Sequence, residues 1–351
     1  MKKICFVVPR YHPIVGGTEK LCEEVLSSLA DDYNVSVITT PSLQRDKTLY
    51  KYKIFDCSFE QFPLMKEHFE IFNYDLVLFF ADLHTPYLSL YDTTWGKKNV
   101  CVLNLDERTY SWKDNFRNAT ENLKKFDMVV TFTKNGIANK YLQENNIKNV
   151  YIPNFSRDVL ETVLEQDFIS KVGLEKNKKT ILYNAAYEER KNQLKIIEYI
   201  KSSKNLQQYN WLFIGSVANE EYLRKCILFS SDIKNIKFIK ATANTKIVDQ
   251  IYQQCDCLLL ASIAEGMPLV LLEAMSANKP IISTPVGGIE GVLKNECDIQ
   301  ILPNIEFSVS DLENCILKQL NNKFNFREVW SRMFNKKDIC NKYKELFKDL
   351  I

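Results

Sequence analysis

Residues 257–275 read CLLLASIAEGMPLVLLEAM, and this stretch indicates the class of fold to which the chain belongs. Cys257–Leu260 is a short apolar run of the kind that forms a strand buried on both faces. A loop containing Gly266 follows. Pro268 predicts that a helix begins near Met267, because proline suits the first helical position, where its missing N–H would have no partner. A strand followed directly by a helix is the repeating unit of a parallel α/β sheet.

The same alternation runs through the N-terminal part of the chain. The segment Thr18–Leu29 carries apolar residues at the 3.6-residue spacing of a helix that covers a core. Short apolar runs predict the strands around it: Ile4–Val8, Val35–Thr39, Leu76–Phe80, Asn99–Leu105, Met128–Phe132 and Val150–Ile152. Strands separated by helices imply a parallel sheet with helices on both faces.

A second series of strands begins after Pro153 and Asn154. Its predicted strands are Thr180–Asn184, Trp211–Gly215, Ile236–Ile239, Cys257–Leu260 and Pro280–Thr284, with helices at Gln193–Lys201, Glu220–Phe229, Lys246–Gln254 and Pro268–Ala277. Because a single sheet of about ten strands is uncommon, this restart favours two similar α/β domains, at residues 1–155 and 156–333. The charged amphipathic stretch Phe334–Leu350 predicts a last helix, within 334–351, that packs back on the first domain.

The composition excludes several classes of protein. Among the 351 residues, 46 Lys and Arg nearly balance 44 Asp and Glu, which argues against a dedicated nucleic-acid-binding protein with a strongly basic face. No window has the roughly 18 apolar residues that a membrane-spanning helix needs. Ile4–Val8 is too short for the apolar part of a signal peptide, and no small-residue cleavage site follows it. We therefore expect a cytoplasmic protein.

The 10 cysteines are scattered along the chain and form no CxxC pair. With only 3 histidines in the whole sequence, a zinc cluster is not expected. Reduced and mostly buried thiols are the usual state of such cysteines in a cytosolic protein.

Two glutamates, Glu265 and Glu273, stand eight positions apart in the stretch 257–275. Glu265 lies in the loop after the strand, next to a helix start whose free N–H groups and positive dipole end form an anion site. Glu273 lies in a helix that is apolar on nearly all sides, and a buried carboxylate needs hydrogen-bond donors. A ribose diol would supply two hydroxyls, and a salt bridge to a neighbouring Lys or Arg would serve equally well.

Two further stretches lie where parallel sheets bind ligands, at the ends of strands. Gly16, Gly17, Thr18 and Glu19 follow the first strand, and their glycines would let a ligand approach the backbone closely. Arg190 and Lys191 follow the first strand of the second domain and could hold a diphosphate, although a solvated charged loop would have the same composition. The chain has neither GxGxxG nor GxxxxGK, so dinucleotide-dehydrogenase and P-loop functions lack their signatures.

Taken together, these stretches resemble the large GT-B family of retaining nucleotide-sugar glycosyltransferases, family 4. The pair Glu265 and Glu273 looks like that family's E-x7-E signature. Four other landmarks appear in the family's order: Gly16–Glu19 as its glycine loop, Ile152–Asn154 as its interdomain turn, Arg190–Asn192 as its R-K-N/G segment and Pro285–Glu290 as its P-V-G-G-x-x-E loop. The likeness spans nearly the whole chain and is strongest over residues 180–292.

The resemblance implies two Rossmann-like domains that face each other across a cleft, with the acceptor on the first and the nucleotide-sugar donor on the second. It assigns catalysis to Glu265, which would accept hydrogen bonds from the sugar hydroxyls, and to Lys191 with Arg190, which would stabilise the departing phosphate. Glu273 would bind the ribose. The other donor-binding residues that it implies are Gly16, Gly17, Gly266, Met267, Pro268, Leu269 and Val270. It implies no metal or other cofactor.

The resemblance further implies transfer of a hexose, with retention, to a glycan or lipid-linked acceptor, in the synthesis of bacterial surface polysaccharide. On the acceptor side it points to Asn104. His12, just before the glycine loop, and His84, after the strand Leu76–Phe80, are further acceptor-side candidates from their positions, and a loop histidine with partners of its own is the alternative for each. Lys97-Lys98 and Lys124-Lys125 could face anionic lipid if the protein binds the inner face of the membrane peripherally, and a solvated surface is the alternative.

The sequence departs from the family pattern at two positions. Ala185 stands where many members have an arginine, and Asn104 stands where many have a histidine. Asparagine can orient a hydroxyl but cannot shuttle a proton. These departures keep open a non-catalytic protein that binds sugar nucleotides. A nucleotide-sugar epimerase, as a GT-B relative of another class, is the second alternative.

Overall fold

The computed structural model describes the chain except residues 10, 12–16, 44, 59–60, 62–72, 82–94, 104–119, 135–136, 166, 241–243, 295 and 323, and it describes only the backbone at 137, 290 and 291. The described residues form two compact units. The first comprises Met1–Asn154 together with Lys336–Ile351, and the second comprises Phe155–Asn335.

The first unit is built on a parallel sheet flanked by helices, which include α1 (Gly17–Leu29) and α2 (Ile137–Glu144). The order of its described strands is β3-β2-β1-β4-β5-β6-β7, and all neighbouring pairs are parallel. Ile4–Val8 in β1 have no exposed surface, as expected of a strand that is covered on both faces. The strands are β1 (Lys3–Val8), β2 (Asn34–Thr39), β3 (Lys53–Asp56), β4 (Tyr74–Ala81), β5 (Gly96–Leu103), β6 (Met128–Thr131) and β7 (Asn149–Tyr151).

The second unit repeats this design. Its described strands are β8 (Thr180–Asn184), β9 (Asn210–Gly215), β10 (Ile236–Lys240), β11 (Cys257–Leu260), β12 (Ile281–Ser283) and β13 (Gln300–Ile301), in the parallel order β10-β9-β8-β11-β12-β13. Its helices are α3 (Phe168–Lys171), α4 (Gln193–Ser202), α5 (Lys204–Gln207), α6 (Glu220–Phe229), α7 (Thr245–Gln254), α8 (Leu269–Ser276), α9 (Val309–Asn321) and α10 (Phe326–Met333). The predicted α/β class and its two parallel sheets are therefore confirmed.

The chain returns to the first unit with its last helix, α11 (Lys336–Leu350), which packs against α1. Phe347 is fully buried and lies edge-on to Phe6 of β1, with 6.4 Å between ring centroids. On the surface, Lys344 pairs with Asp32 at 2.7 Å. Within the part of the chain that the structure describes, no helix is long and apolar enough to cross a membrane.

The strand order of the second unit brings two loops together. The order changes direction between β8 and β11, which are hydrogen-bonded neighbours although α4, β9 and β10 separate them in sequence. The chain leaves the carboxyl ends of both strands at this point, so the loops 185–192 and 261–268 emerge side by side. Such a change of direction is where open parallel sheets bind their ligands.

Three details differ from the prediction. The sequence pattern missed β3 and β13, an edge strand of four residues and one of two residues, because runs this short carry little periodicity. Helix α8 begins at Leu269 rather than near Met267. Pro268 accordingly is not the first helical residue but the cap before it, with extended backbone angles of φ −70° and ψ 125°.

All 10 cysteines are free thiols, and only Cys297 and Cys315 are more than slightly exposed. Burial raises the pKa of Cys255 and Cys297 to about 12 and that of Cys226 to about 11, and it also raises the pKa of the half-buried Cys315. The reactive form of a thiol is the thiolate, so these groups are protected by their pKa as well as by burial.

We predict that a disulfide reagent at pH 8 modifies the folded protein slowly and modifies Cys315 first, whereas guanidinium chloride exposes all 10 thiols at once. Mass spectrometry of the labelled peptides would identify the order. Prompt labelling of Cys5 or Cys101, which lie fully buried in the first sheet, would contradict the described core.

Candidate functional site

The two loops at the β8–β11 junction are joined by an ion pair. The Lys191 ammonium contacts the Glu265 carboxylate, and the two side chains are 12% and 9% exposed. Arg190 lies beside them: its Nη1 is 3.8 Å from Glu265 Oε2 and donates to the Ala264 carbonyl at 2.7 Å. The structure therefore brings together Glu265, Lys191 and Arg190, the three residues proposed for catalysis.

A buried tyrosine fixes the backbone on both sides of this ion pair. The Tyr183 hydroxyl, at the end of β8, donates to the Lys191 carbonyl and accepts from the Ala261 N–H at 3.0 Å. Burial raises the pKa of Tyr183 well above its usual value, so the hydroxyl stays protonated and able to donate. Asn192 follows with a left-handed backbone, φ 61°, and its side-chain amide donates to the Ala261 carbonyl at 3.2 Å.

Gly287, after β12, supports the Glu265 loop from the other side. It has a positive φ of 53°, and a Cβ there would overlap the carbonyl oxygens of Glu265 and Gly266. The neighbouring Gly288 N–H donates to the Gly266 carbonyl at 2.8 Å. Only glycine permits both the backbone angle and the close approach. The P-V-G-G stretch thus fixes the position of the loop that carries Glu265, by letting the two backbones approach closely.

Helix α8 begins directly after this loop, and its N-terminus points out of the same sheet edge. Pro268, the cap residue, makes no side-chain hydrogen bond to the first turn. The N–H groups of Leu269 and Val270 therefore have no partner from the cap side chain. Unpaired N–H groups and the helix dipole attract negative charge. Gly266, Leu269 and Val270 are partly exposed here, whereas Met267 is buried.

Glu273 lies one helical turn further along α8 and is 4% exposed. Its carboxylate contacts the Arg157 guanidinium, so a salt bridge, one of the two partners considered from sequence, is present. Arg157 Nε also donates to Asp249 Oδ1 of α7 at 2.7 Å, and its Nη2 lies 2.5 Å from the same oxygen. Burial alone would lower the pKa of Arg157, but the charges of Glu273 and Asp249 outweigh it and raise that pKa.

Hydroxyl groups complete this cluster. Thr162 donates to Asp249 Oδ2 at 2.8 Å. The Tyr252 hydroxyl accepts from the Asn184 amide at 2.9 Å and donates to the Val270 carbonyl at 3.1 Å. Burial, and next the charge of Glu273, raise the pKa of Tyr252 well above its usual value. Because Asn184 ends β8, the Glu273 cluster and the Lys191–Glu265 pair lie along one edge of one sheet.

Of the remaining predicted site residues, the structure describes only Gly17. Gly17 is exposed and begins α1. Gly16, His12, His84 and Asn104 fall outside the described residues.

Ala185, which stands where an arginine is usual, is only 7% exposed, and its carbonyl lies where a Cβ on Gly215 would be. Among the residues that the structure describes, no three His, Cys, Asp or Glu side chains gather as metal ligands would.

The lysines considered for lipid contact have partners on the protein. Lys97 pairs with Asp75 and Lys98 with Asp127, each at 2.8 Å. Lys124 pairs with Glu121 at 3.0 Å, and Lys125 donates to the Asn122 side chain at 3.0 Å.

Sequence reasoning missed Arg157, Asp249 and Tyr183. Arg157 belongs to no motif and lies in a polar stretch with the composition of a surface linker. Asp249 is a single acid in an amphipathic helix. Tyr183 looks like an ordinary strand residue. One signal was available: a buried carboxylate such as Glu273 requires a cation or several donors elsewhere in the chain.

Comparison with known proteins identifies the second unit. Residues 165–336 match the family Glycosyl transferases group 1. An uncharacterized glycosyltransferase of Haemophilus influenzae is 26% identical over 305 residues, which cover 81% of this chain and 80% of that protein. The phosphatidylinositol N-acetylglucosaminyltransferase GPI3 subunit of Saccharomyces cerevisiae is 29% identical over 124 residues, covering 33% of this chain and 26% of that subunit.

Solved structures share the fold of the whole chain. Sucrose-phosphate synthase of Thermosynechococcus elongatus has a TM-score of 0.80 at 14% identity, covering 100% of this chain and 99% of that one. Anabaena HepE, crystallised with UDP and glucose, has a TM-score of 0.76 at 16% identity, covering 99% of this chain and 100% of that one. These likenesses show the GT-B fold. The part of this chain that carries the Lys191–Glu265 pair therefore matches the glycosyl transferases group 1 family, and the whole chain shares the fold of solved glycosyltransferases.

Proposed function

We propose that this chain is a retaining glycosyltransferase that moves a hexose from a nucleoside diphosphate to a glycan or lipid-linked acceptor, in the cytoplasm and in the synthesis of bacterial surface polysaccharide. The observation that carries the proposal is the Lys191–Glu265 ion pair at the β8–β11 junction. There a carboxylate that can hold sugar hydroxyls touches a cation that can hold phosphate.

The donor would lie along the edge of the second sheet. Its sugar hydroxyls would donate to Glu265, and its diphosphate would accept from Lys191, Arg190 and the N–H groups of Leu269 and Val270. Its ribose diol would donate to Glu273. Phosphate and hydroxyl groups would thus each meet side chains of the complementary kind.

In the proposed reaction, the bond between the anomeric carbon and the leaving phosphate breaks and a bond from that carbon to the acceptor oxygen forms on the same face. The acceptor proton passes to the leaving phosphate. Lys191 and Arg190 would lower the barrier, because negative charge grows on that phosphate as the bond breaks. No protein nucleophile and no metal takes part in these steps.

The nature of the donor and acceptor has support from the relatives. HepE has been crystallised with UDP-glucose. The GPI3 subunit is named for transfer to a phosphatidylinositol, and a further structural neighbour, WaaG, is involved in lipopolysaccharide biosynthesis. These names motivate a uridine or other nucleoside diphosphate donor and an acceptor that is a glycan or carries lipid.

A panel of UDP-, GDP- and ADP-sugars, assayed in EDTA, tests the proposed donor class. We expect one nucleotide to raise the unfolding midpoint by mass action, by an increment that grows with its concentration. Release of the nucleoside diphosphate should then require an acceptor, and NMR of the product should show retained anomeric configuration. Binding without any turnover would favour the non-catalytic alternative, and conversion of the donor without acceptor would favour the epimerase.

Lys191→Ala and Glu265→Ala should each reduce turnover by about 100-fold or more, the usual cost of removing one preorganised charge-stabilising group. Lys195→Ala is the matched control. Lys195 lies on α4, directly after the Lys191 loop, and it is also mostly buried and forms an ion pair with Glu306. The double variant Lys191→Ala/Glu265→Ala leaves no unpaired buried charge, so a folded but inactive double variant separates catalysis from stability. Near-normal turnover in both single variants would refute these roles.

Gly287→Ala tests whether turnover depends on the position of the Glu265 loop. Gly173→Ala is its control: Gly173 also has a positive φ, 77°, but a Cβ there would meet nothing nearer than Lys237 Cε at 3.7 Å. Both variants should lose stability from backbone strain, on the order of 1–2 kcal/mol. Only Gly287→Ala displaces the Glu265 and Gly266 carbonyls, so only it should lose most of its turnover. Equal turnover in the two folded variants would contradict this reading of the loop.

A further inference from the structure

The ion cluster around Glu273 contains more negative than positive charge. Its guanidinium, that of Arg157, faces two carboxylates, Glu273 and Asp249, which are 4% and 3% exposed. These three groups together carry one net negative charge. A buried excess of negative charge is stable only if neutral hydrogen-bond donors surround it. Thr162 already supplies one such donor to Asp249.

The position of the guanidinium is fixed by its neighbours in the chain. Arg157 is followed by Asp158, which pairs with Arg327 of α10 at 2.6 Å, and by Val159, whose N–H donates to Ser276 Oγ of α8 at 3.2 Å. The Arg157 side chain is 23% exposed and fits between α7 and α8. Its Nε faces Asp249 while Nη1 faces Glu273, so the planar fork of arginine is used on two sides.

We propose that Arg157 and Asp249 are positioning residues that set the Glu273 carboxylate for the ribose diol and so make the protein select ribonucleotides over 2′-deoxyribonucleotides. This inference rests on the proposed function. Asp249 draws part of the guanidinium charge away from Glu273, and the carboxylate therefore keeps the strength to accept hydrogen bonds from hydroxyls. The fork fixes the rotamer of that carboxylate at the sheet edge.

The same charge distribution separates the two ends of a nucleotide. The excess negative charge at Glu273 repels phosphate and attracts hydroxyls, whereas Lys191 and Arg190 attract phosphate. A nucleoside diphosphate therefore has one favourable direction along this edge. The Arg157–Asp249 pair would therefore affect nucleotide affinity through the hydrogen bonds between the ribose hydroxyls and Glu273.

The test measures the dissociation constants of UDP, GDP and ADP and of their 2′-deoxy analogues by calorimetry. For the nucleotide that binds, we expect the wild-type protein to prefer the ribo form by about 10- to 100-fold, the range for a hydrogen bond to a charged group. Arg157→Lys cannot hold both carboxylates as a fork, and it should reduce this preference to under about threefold with little change for the 2′-deoxy form. Asp249→Asn and the milder Thr162→Val should give intermediate preferences.

The control is Arg327→Lys, which disturbs a comparable Arg–Asp pair that touches α8 through the Ser276 carbonyl rather than through the Glu273 carboxylate. It should leave the ribo preference at the wild-type value. If Arg157→Lys also keeps the full preference, or if it weakens both forms of the nucleotide equally, the positioning role is wrong while the proposed function stands. If the wild-type protein binds no nucleotide of the panel, the proposed function itself fails, and absence of a ribo preference would remove the ribose role of Glu273.

Discussion

The described site depends on one electrostatic contact, the ion pair between Lys191 and Glu265. Two charged side chains this deeply buried would be costly unless they met, since desolvation of an unpaired charge costs several kcal/mol. They meet because β8 and β11 are neighbours in the sheet while their loops are far apart in sequence. Tyr183, Asn192 and Gly287 hold those loops in register. The charge pair is thus a product of sheet topology, and it leaves a cation and an anion side by side at the edge where parallel sheets bind ligands.

A second ion cluster on the same edge gives the site a direction. Arg157, Asp249 and Glu273 together carry one net negative charge, whereas among the described residues the cations Lys191 and Arg190 are balanced by Glu265 and Glu188. The two clusters are connected through Asn184 and Tyr252, whose hydroxyl touches the first turn of α8. An elongated ligand with phosphate in its middle and hydroxyl groups towards both ends matches this sequence of charges. That complementarity, and not the fold alone, is the physical basis on which we propose a nucleotide-sugar donor, since one fold hosts many functions.

Much of the fold could be predicted because buried parallel strands are continuous apolar runs. Thr180–Asn184 and Cys257–Leu260 are strands at their predicted ends, while β3 and β13 lie at or near sheet edges and are too short to show a pattern. The residues of the ion pair could be found as candidates because motif residues follow strands. Their contact, across 74 residues, follows only from strand order. The partner of Glu273 could not be predicted, since Arg157 is 116 residues away and reaches it through the packing of α7 and α8, which no local pattern encodes.

The central claim is that this sheet edge binds an activated sugar with its phosphates at Lys191 and its hydroxyls at Glu265. A crystal structure of the protein with a non-transferable nucleotide-sugar analogue measures this directly. The account predicts phosphate oxygens within hydrogen-bond distance of Lys191 and Arg190, sugar hydroxyls at Glu265 and the ribose at Glu273. A nucleotide bound elsewhere on the chain, or bound here in the reverse direction with its ribose at Lys191, would contradict it.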